Sequence, residues 1–318
     1  VVFPENAART ALRRSWFGVL ALIGCATLWS LNGPLIKLLD RAEVPGITIA
    51  CYRSLLGGLV FLPIAARRWR TLRLVSIGWP IGSVLTFTLM TSCFVIATTQ
   101  TAAANAIILQ YTSPIWVFLL SPVLLRERFR LSDGLVLVLA MTGVAIIFLG
   151  HATGDVPALS IGLASGLGYG SLTVALRGLR RADPSTVVAL NFVGSGLLLL
   201  PPVAIWGIFL LNGYQFVLVL VLSVVQMAIP YLLFSWALQR VEAHRAALIV
   251  LLETVLNPLW TYLIVHEPVP EPTLIGGPLI LLSVISWLLL TWRRETLTRQ
   301  RRGASMTAPL PQRSSAKL

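Results

Sequence analysis

Ten apolar runs, each about 20 residues long and almost free of charge, follow one another along the chain with only short polar connections. They fall at about residues 17–39, 47–66, 74–97, 101–124, 132–150, 157–176, 185–208, 214–237, 244–265 and 272–292. A hydrocarbon layer about 30 Å thick is crossed by about 20 helical residues, so each run has the length of one transmembrane helix. Only 12% of the 318 residues are charged, 56% are hydrophobic and the mean hydropathy is +0.83. A soluble domain carries about 25% charged residues, and it could not give so many apolar helices a polar outer face. The first run lacks a small-residue cleavage site leading into a soluble domain, so it reads as a span and not as a removable leader. Residues 1–16 are expected to form an N-terminal segment, and the basic, Ser/Pro/Gln-containing stretch 293–318 a disordered tail.

The charges orient the spans. Counting from the N-terminus, 22 of the 25 basic residues fall on one side of the membrane. They cluster at Arg9–Arg14, Arg67–Arg73, Arg126–Arg130, Arg177–Arg181, Arg240–Arg245 and after Trp292. The opposite side carries Asp40, Glu43, Asp155, Glu267 and Glu271. Cytoplasmic loops are enriched in Lys and Arg, so both termini are expected in the cytoplasm and the chain in the inner, cytoplasmic membrane. Losing one span would scramble this sorting. The net charge of +13 is therefore a topology signal. The basic residues sit in short clusters between apolar runs and form no single nucleic-acid-binding face.

Cys25, Cys51 and Cys93 each lie within an apolar run, without paired metal-ligand spacing, and read as small buried hydrophobes. No metal, cofactor or catalytic residue is expected.

Shifting the second half back by 140 residues lays its runs over the first. Phe94 then meets Phe234, Ala97 meets Ala237, Ala106 meets Ala246 and Glu127 meets Glu267, with Lys37 on Arg177 and Trp29 on Tyr169. A 139-residue shift fits the second pair of runs better, bringing Pro45 onto Pro184 and Pro63 onto Pro202. Five spans per copy is an odd number, so the copies must insert in opposite orientations. The fold expected is an all-α membrane protein of ten transmembrane helices in two inverted five-helix repeats, residues 17–150 and 155–292. Secondary transporters use this plan, binding substrate near the midplane between repeats.

Three stretches carry a family resemblance. Ile107-Ile108-Leu109-Gln110-Tyr111-Thr112-Ser113-Pro114 in the fourth span is followed by Arg126-Glu127-Arg128. Leu252-Glu253-Thr254-Val255-Leu256-Asn257-Pro258 in the ninth leads to His266-Glu267, and the second span contains Cys51-Tyr52-Arg53. With the ten-span plan, the chain resembles the drug/metabolite transporter superfamily, and within it the EamA group. It departs from the group's "LEP…GE" pattern at Thr254, where Pro is usual, and at His266, where Gly is usual. The resemblance covers about residues 17–292 and implies an exporter of amino acids, other metabolites or drugs. The intramembrane aromatic residues make amino-acid exporters, including the aromatic amino-acid branch, the nearest comparison.

Ionisable groups inside a bilayer are costly and mark candidate sites. Arg53 and Glu253 are the two within spans. They could pair until a substrate's charges compete, Glu253 could carry a proton during antiport, or the two could form a structural ion pair. Lys37 lies near a span end and can snorkel to the headgroups. The neutral polar and aromatic candidates for substrate binding are Trp29, Asn32, Gln110, Tyr111, Tyr169, Asn191, Gln226, Tyr231, Trp236, Asn257 and Trp260. Lipid offers such groups no hydrogen-bond partner, so they must face a cavity or another helix.

Other functions are disfavoured. The chain has no HExxH, GxSxG or Walker motif, which argues against an embedded enzyme or an ATP-driven pump. A channel would need rings of repeated polar residues. A lipid scramblase stays open as a reading from another class. The expected partners are a small-molecule substrate, lipids and protons, with no nucleic acid.

Overall fold

The computed structural model describes residues 4–124, 131–151, 155–237, 240–241, 246 and 249–307, and every regular element among them is a helix. In order these are α1 (Pro4–Ser30), α2 (Asn32–Arg41), α3 (Gly46–Arg68), a 3-10 segment (Trp69–Leu74), α4 (Gly78–Gln100), α5 (Ala103–Gln110) and α6 (Ser113–Leu124). There follow α7 (Leu131–Gly150), α8 (Val156–Gly178), α9 (Pro184–Trp206), α10 (Gly213–Leu220), a π-helical segment (Val221–Ala228), α11 (Ile229–Ala237), α12 (Leu252–Val265) and α13 (Glu271–Thr307). Among the described residues, eight stretches are long and apolar enough to cross a membrane. The expected fifth and ninth spans correspond to shorter apolar helices, Leu137–Gly150 and α12. Arg126-Glu127-Arg128, His244 and Arg245 lie outside the described residues.

Helix extends past the apolar runs at both ends of the chain: α1 begins at Pro4, and α13 continues to Thr307. Between Arg293 and Arg302 the sequence is Arg, Glu, Gln, Leu and Thr with no Gly or Pro, a composition that extends a helix once tertiary packing has started it.

Helix interruptions follow the prolines. A proline clashes with the carbonyl four residues earlier. Pro34 and Pro114 have Ser30 and Gln110 at that position, where α1 and α5 end. The first span is thus α1 and α2 jointed at Leu31, and the fourth is α5 and α6 jointed at Tyr111-Thr112. The ninth span breaks at Leu251, 140 residues after Tyr111, although Thr254 replaces the proline. There the Thr254 backbone N–H, at 3.0 Å, and its hydroxyl, at 2.7 Å, both donate to the Leu251 carbonyl. The π-helical segment runs up to Pro230, whose ring opposes the carbonyl of Gln226 within it.

Helix contacts respect an exchange of the two halves. α3 packs on its counterpart α9, and α7 on its counterpart α13. α4 packs on α8 as α11 packs on α1, and α5 and α6 pack on α8 as α12 packs on α1 and α2. A pseudo-two-fold axis relating the repeats produces this pattern. Loops of like sign meet at the same end. Arg68 pairs with Asp183 at 2.9 Å on the arginine-rich side, and Lys37 pairs with Glu267 at 2.7 Å on the other.

The polarity is that of a membrane protein. Leu59, Ile81, Leu85, Leu149, Leu197 and Ile205 are exposed, whereas Arg53, Asn105, Gln226, Glu253 and Asn257 are buried. Lipid solvates the exterior, and polar groups within the bilayer satisfy one another inside the bundle.

Candidate functional site

Three interrupted helices meet around Glu253. The break at Leu251 puts Glu253 in the first turn of α12, and the break at Tyr111 turns that residue toward it. Tyr111 Oη donates to Glu253 Oε2 at 3.1 Å, and Asn32 Nδ2, at the start of α2, donates to Oε1 at 3.3 Å. Asn257, one turn beyond Glu253 on the same face of α12, donates through Nδ2 to Asn32 Oδ1. All four residues are buried. The carboxylate comes from the second repeat, and both of its donors come from the first and are neutral.

Aromatic rings continue the site. Tyr169 of α8 meets the Tyr111 ring edge-on at 6.3 Å. Trp29, just before the Leu31 break, meets Tyr231 of α11 edge-on at 5.3 Å and lies 5.5 Å from Phe234. Tyr231 in turn contacts Phe192 of α9 at 5.5 Å. Tyr169 and Tyr231 pack against one apolar cluster of Phe87, Met90, Leu172, Phe192 and Met227. Gln226, presented by the π-helical segment, donates to the Trp29 carbonyl at 3.0 Å, and its own carbonyl Oε1 is buried without a partner.

Arg53 lies in α3, 97% buried. Its Nε and Nη2 both donate to Thr91 Oγ1, at 3.2 and 2.7 Å, and its guanidinium sits 5.9 Å from the Phe94 ring centre. Arg53 Nη1 is buried with no hydrogen-bond partner. The expected pairing with Glu253 is not made: each charged group is held by neutral donors or acceptors of its own.

The remaining sequence candidates lie elsewhere. Asn191 accepts from Ser83 at 2.8 Å between α9 and α4. Trp236 is exposed at the end of α11, with the Arg240 guanidinium 3.7 Å from its ring centre. Gln110 is half-buried, one residue before the α5–α6 break. Trp260 lies one turn past Asn257, its indole Nε1 buried and unpartnered. Thr91 was missed as a partner of Arg53. Threonine is common in this stretch, and nothing in the sequence separates Thr91 from Thr86 or Thr88, which bond to their own helix.

A second polar network closes the end of the bundle away from the arginine clusters. Lys37 Nζ donates to the Thr101 carbonyl at 2.9 Å besides its ion pair, and Glu267 Oε1 accepts from the Ala103 amide at 2.7 Å. Arg41 donates to the Val265 carbonyl. These bonds tie the ends of α2, α4, α5 and α12 together. Asn105 bridges Thr101, His151 and Thr273 beside them. Among the described residues no group of His, Cys, Asp and Glu has the geometry to hold a metal ion.

Comparison with known proteins matches this architecture. An uncharacterized transporter of Archaeoglobus fulgidus is 28% identical over 253 residues, covering 78% of this chain and 87% of the relative. The uncharacterized transporter YvbV of Bacillus subtilis is 27% identical over 280 residues, covering 83% and 89%. A solved protein crystal structure superposes with a TM-score of 0.57 at 19% identity, over 87% of this chain and 98% of that one, which shows a shared fold. The EamA-like transporter family matches the sequence twice, over residues 16–149 and 156–289, one match for each repeat. The chain belongs to the EamA-like transporter family and is a multi-pass membrane transporter.

Proposed function

We propose that this transporter is a secondary carrier that exports small metabolites, amino acids foremost, across the cytoplasmic membrane by alternating access, with both termini in the cytoplasm. The observation that carries the reading is the Glu253 carboxylate, buried between the repeats and bonded only to Tyr111 and Asn32. An ammonium group offers three donors and a full charge, and so can replace both neutral donors. Arg53, with Nη1 unpartnered, is suited to receive a carboxylate. The rings of Trp29, Tyr169 and Tyr231 suit an aromatic or apolar side chain. Glu253 also serves as the proton-coupling group, because a carboxylate with no cationic partner must exchange either a cation or a proton when its donors move away. Rocking of one repeat against the other moves those donors, since they and Glu253 belong to different halves.

The test is efflux of labelled amino acids from proteoliposomes, with and without a proton gradient. Aromatic amino acids should leave faster than from empty liposomes. Glu253→Gln, which keeps shape and one acceptor, should abolish gradient-driven flux while the protein still folds. Absence of flux from folded wild-type protein refutes the substrate class. The same carboxylate and rings also fit an organic cation lacking a carboxylate, as in a drug exporter. In that case Arg53→Gln should spare transport, whereas an amino-acid carrier loses it.

A further inference from the structure

Beyond the central site, the arginine-rich end carries an apolar groove open to the lipid side of the bundle. It lies between the 3-10 segment Trp69–Leu74, the start of α4 and α9, and encloses about 870 Å³. A contiguous hollow of about 500 Å³ shares Trp69, Leu72, Leu190, Gly194 and Leu197 with it. Ile81, Leu85 and Leu197 line it and are more than half exposed. Arg73 is the charged residue in its wall.

The 3-10 segment Trp69–Leu74 explains this layout. Side chains three residues apart eclipse in a 3-10 helix. Trp69 and Leu72 therefore share one face, which lines the groove, and Arg70 and Arg73 share the next. Trp69, Leu74 and Ile77 are 57%, 62% and 73% exposed, so large apolar side chains protrude beside a row of arginines. That mixture is the signature of a segment lying in the headgroup region. Arg68 is engaged by Asp183, and Arg73 lies 5.8 Å from the Trp69 ring. Among the described residues no carboxylate pairs with Arg70 or Arg73.

We propose that this groove is a binding site for an anionic phospholipid, whose acyl chain lies along Ile81, Leu85 and Leu197 and whose phosphate is held by Arg73 and Arg70. Charge complementarity selects the occupant: an apolar trough alone would take any acyl chain, but Arg73 in its wall and Arg70 beside it on the 3-10 segment, neither paired with a carboxylate among the described residues, favour a lipid with net negative charge. The site spans the 3-10 segment, α4 and α9, which belong to both repeats, so the lipid bridges the halves outside the transport pathway.

The test uses purified, delipidated full-length protein titrated with phosphatidylglycerol, phosphatidylcholine and soluble glycerol phosphate, with bound adducts counted by native mass spectrometry. Phosphatidylglycerol should bind at least five-fold more tightly than phosphatidylcholine, and glycerol phosphate should not bind. Arg73→Gln should weaken phosphatidylglycerol about five-fold, the equivalent of ~1 kcal/mol for one basic contact. Ile81→Trp, which fills the groove at an exposed position, should weaken both lipids. The proposal is overturned if the two lipids bind equally, if Arg73→Gln leaves the preference intact, or if Ile81→Trp has no effect. Binding of glycerol phosphate as tightly as the lipid would also overturn it, since the groove would then contribute nothing.

Discussion

A methyl group added at Gly33 would collide with the network that holds Glu253. Its Cβ would lie 2.6 Å from Asn257 Oδ1, 2.7 Å from Thr261 Oγ1 and 2.9 Å from Asn257 Nδ2. Asn257 is fully buried, so its amide has no solvent to swing into. Either α2 and α12 separate or Asn257 gives up its bond to Asn32. Overpacking of this kind costs about 1–3 kcal/mol. A side-chain hydrogen bond inside a membrane bundle adds about 0.6, and at most about 1.7, kcal/mol.

Gly24, a little over two turns earlier in α1, has no heavy atom within 4 Å of its added Cβ and serves as the control. Both substitutions gain the same helix propensity, about 1 kcal/mol. That term cancels when the two are compared, and Gly33→Ala should be less stable than Gly24→Ala by about 1–3 kcal/mol. Denaturant unfolding in detergent micelles, followed by tryptophan fluorescence, measures the difference. Equal midpoints and slopes for the two variants would refute the close approach of α2 to α12 and the Asn32–Asn257 link with it.

Three further outcomes are expected. Thr91→Ala should destabilise by about 2 kcal/mol because it strips a buried guanidinium of its hydroxyl partner, and Thr91→Ser should restore most of the loss; an equal loss in both would assign the effect to the methyl group. A double-mutant cycle of Lys37→Met and Glu267→Gln should give a coupling energy of about 1 kcal/mol; a value near zero would mean the closure rests on the backbone acceptors and donors alone. At Asp183, partial burial pushes the carboxyl's pKa upward, but hydrogen bonds from Arg68 and Thr186 outweigh it and hold the net value below the usual range. Its stabilisation is complete above about pH 4, the unfolded value, and is lost as pH falls through the lower folded one. Arg68 is exposed, so the amount is below ~1 kcal/mol, and Asp183→Asn should flatten the acid limb of a stability profile.

Much of the architecture was legible because lipid imposes simple rules. Run length located eight helices long enough to span and one shorter apolar helix among the described residues, and arginine sorting set Arg68 and Glu267 at opposite ends, where each forms an ion pair. Asn32, Tyr111, Glu253 and Asn257 stood out as polar residues where polarity is costly, and they do come together. Pro34 and Pro114 each stand three residues past the joints at Leu31 and Tyr111, but Thr254 holds that place after Leu251, so the sequence offers no comparable mark there. Pro258 points the wrong way, since α12 runs straight through it. The partner of Arg53 was hidden for another reason. Rotation of a helix that is apolar on all sides leaves no periodicity to say which threonine faces inward, and α4 is such a helix.

The separation of Arg53 from Glu253 bears on what the two are for. A structural ion pair would bring them into contact, because two charges taken out of water recover their solvation cost only through good mutual geometry. Here each is buried with neutral partners, Thr91 for one and Tyr111 with Asn32 for the other, and Arg53 Nη1 has none. That arrangement sacrifices stability on both sides. It also lacks a counterpart in the other repeat, where Ser113 stands 140 residues before Glu253 and Phe192 stands 139 residues after Arg53. Selection for a stable, symmetric scaffold would have removed both groups or paired them. Two opposite charges without an ionic partner, in a bundle lined by Trp29, Tyr169 and Tyr231, are what the proposed amino-acid substrate requires, each end of which would supply the partner that the protein withholds. Arg53→Met and Glu253→Gln should therefore each leave thermal stability at or above that of wild type, with additive effects in the double variant, while abolishing transport. Single variants less stable than wild type, with the double variant recovering the loss, would show that the two charges support each other and return the pair to a structural role.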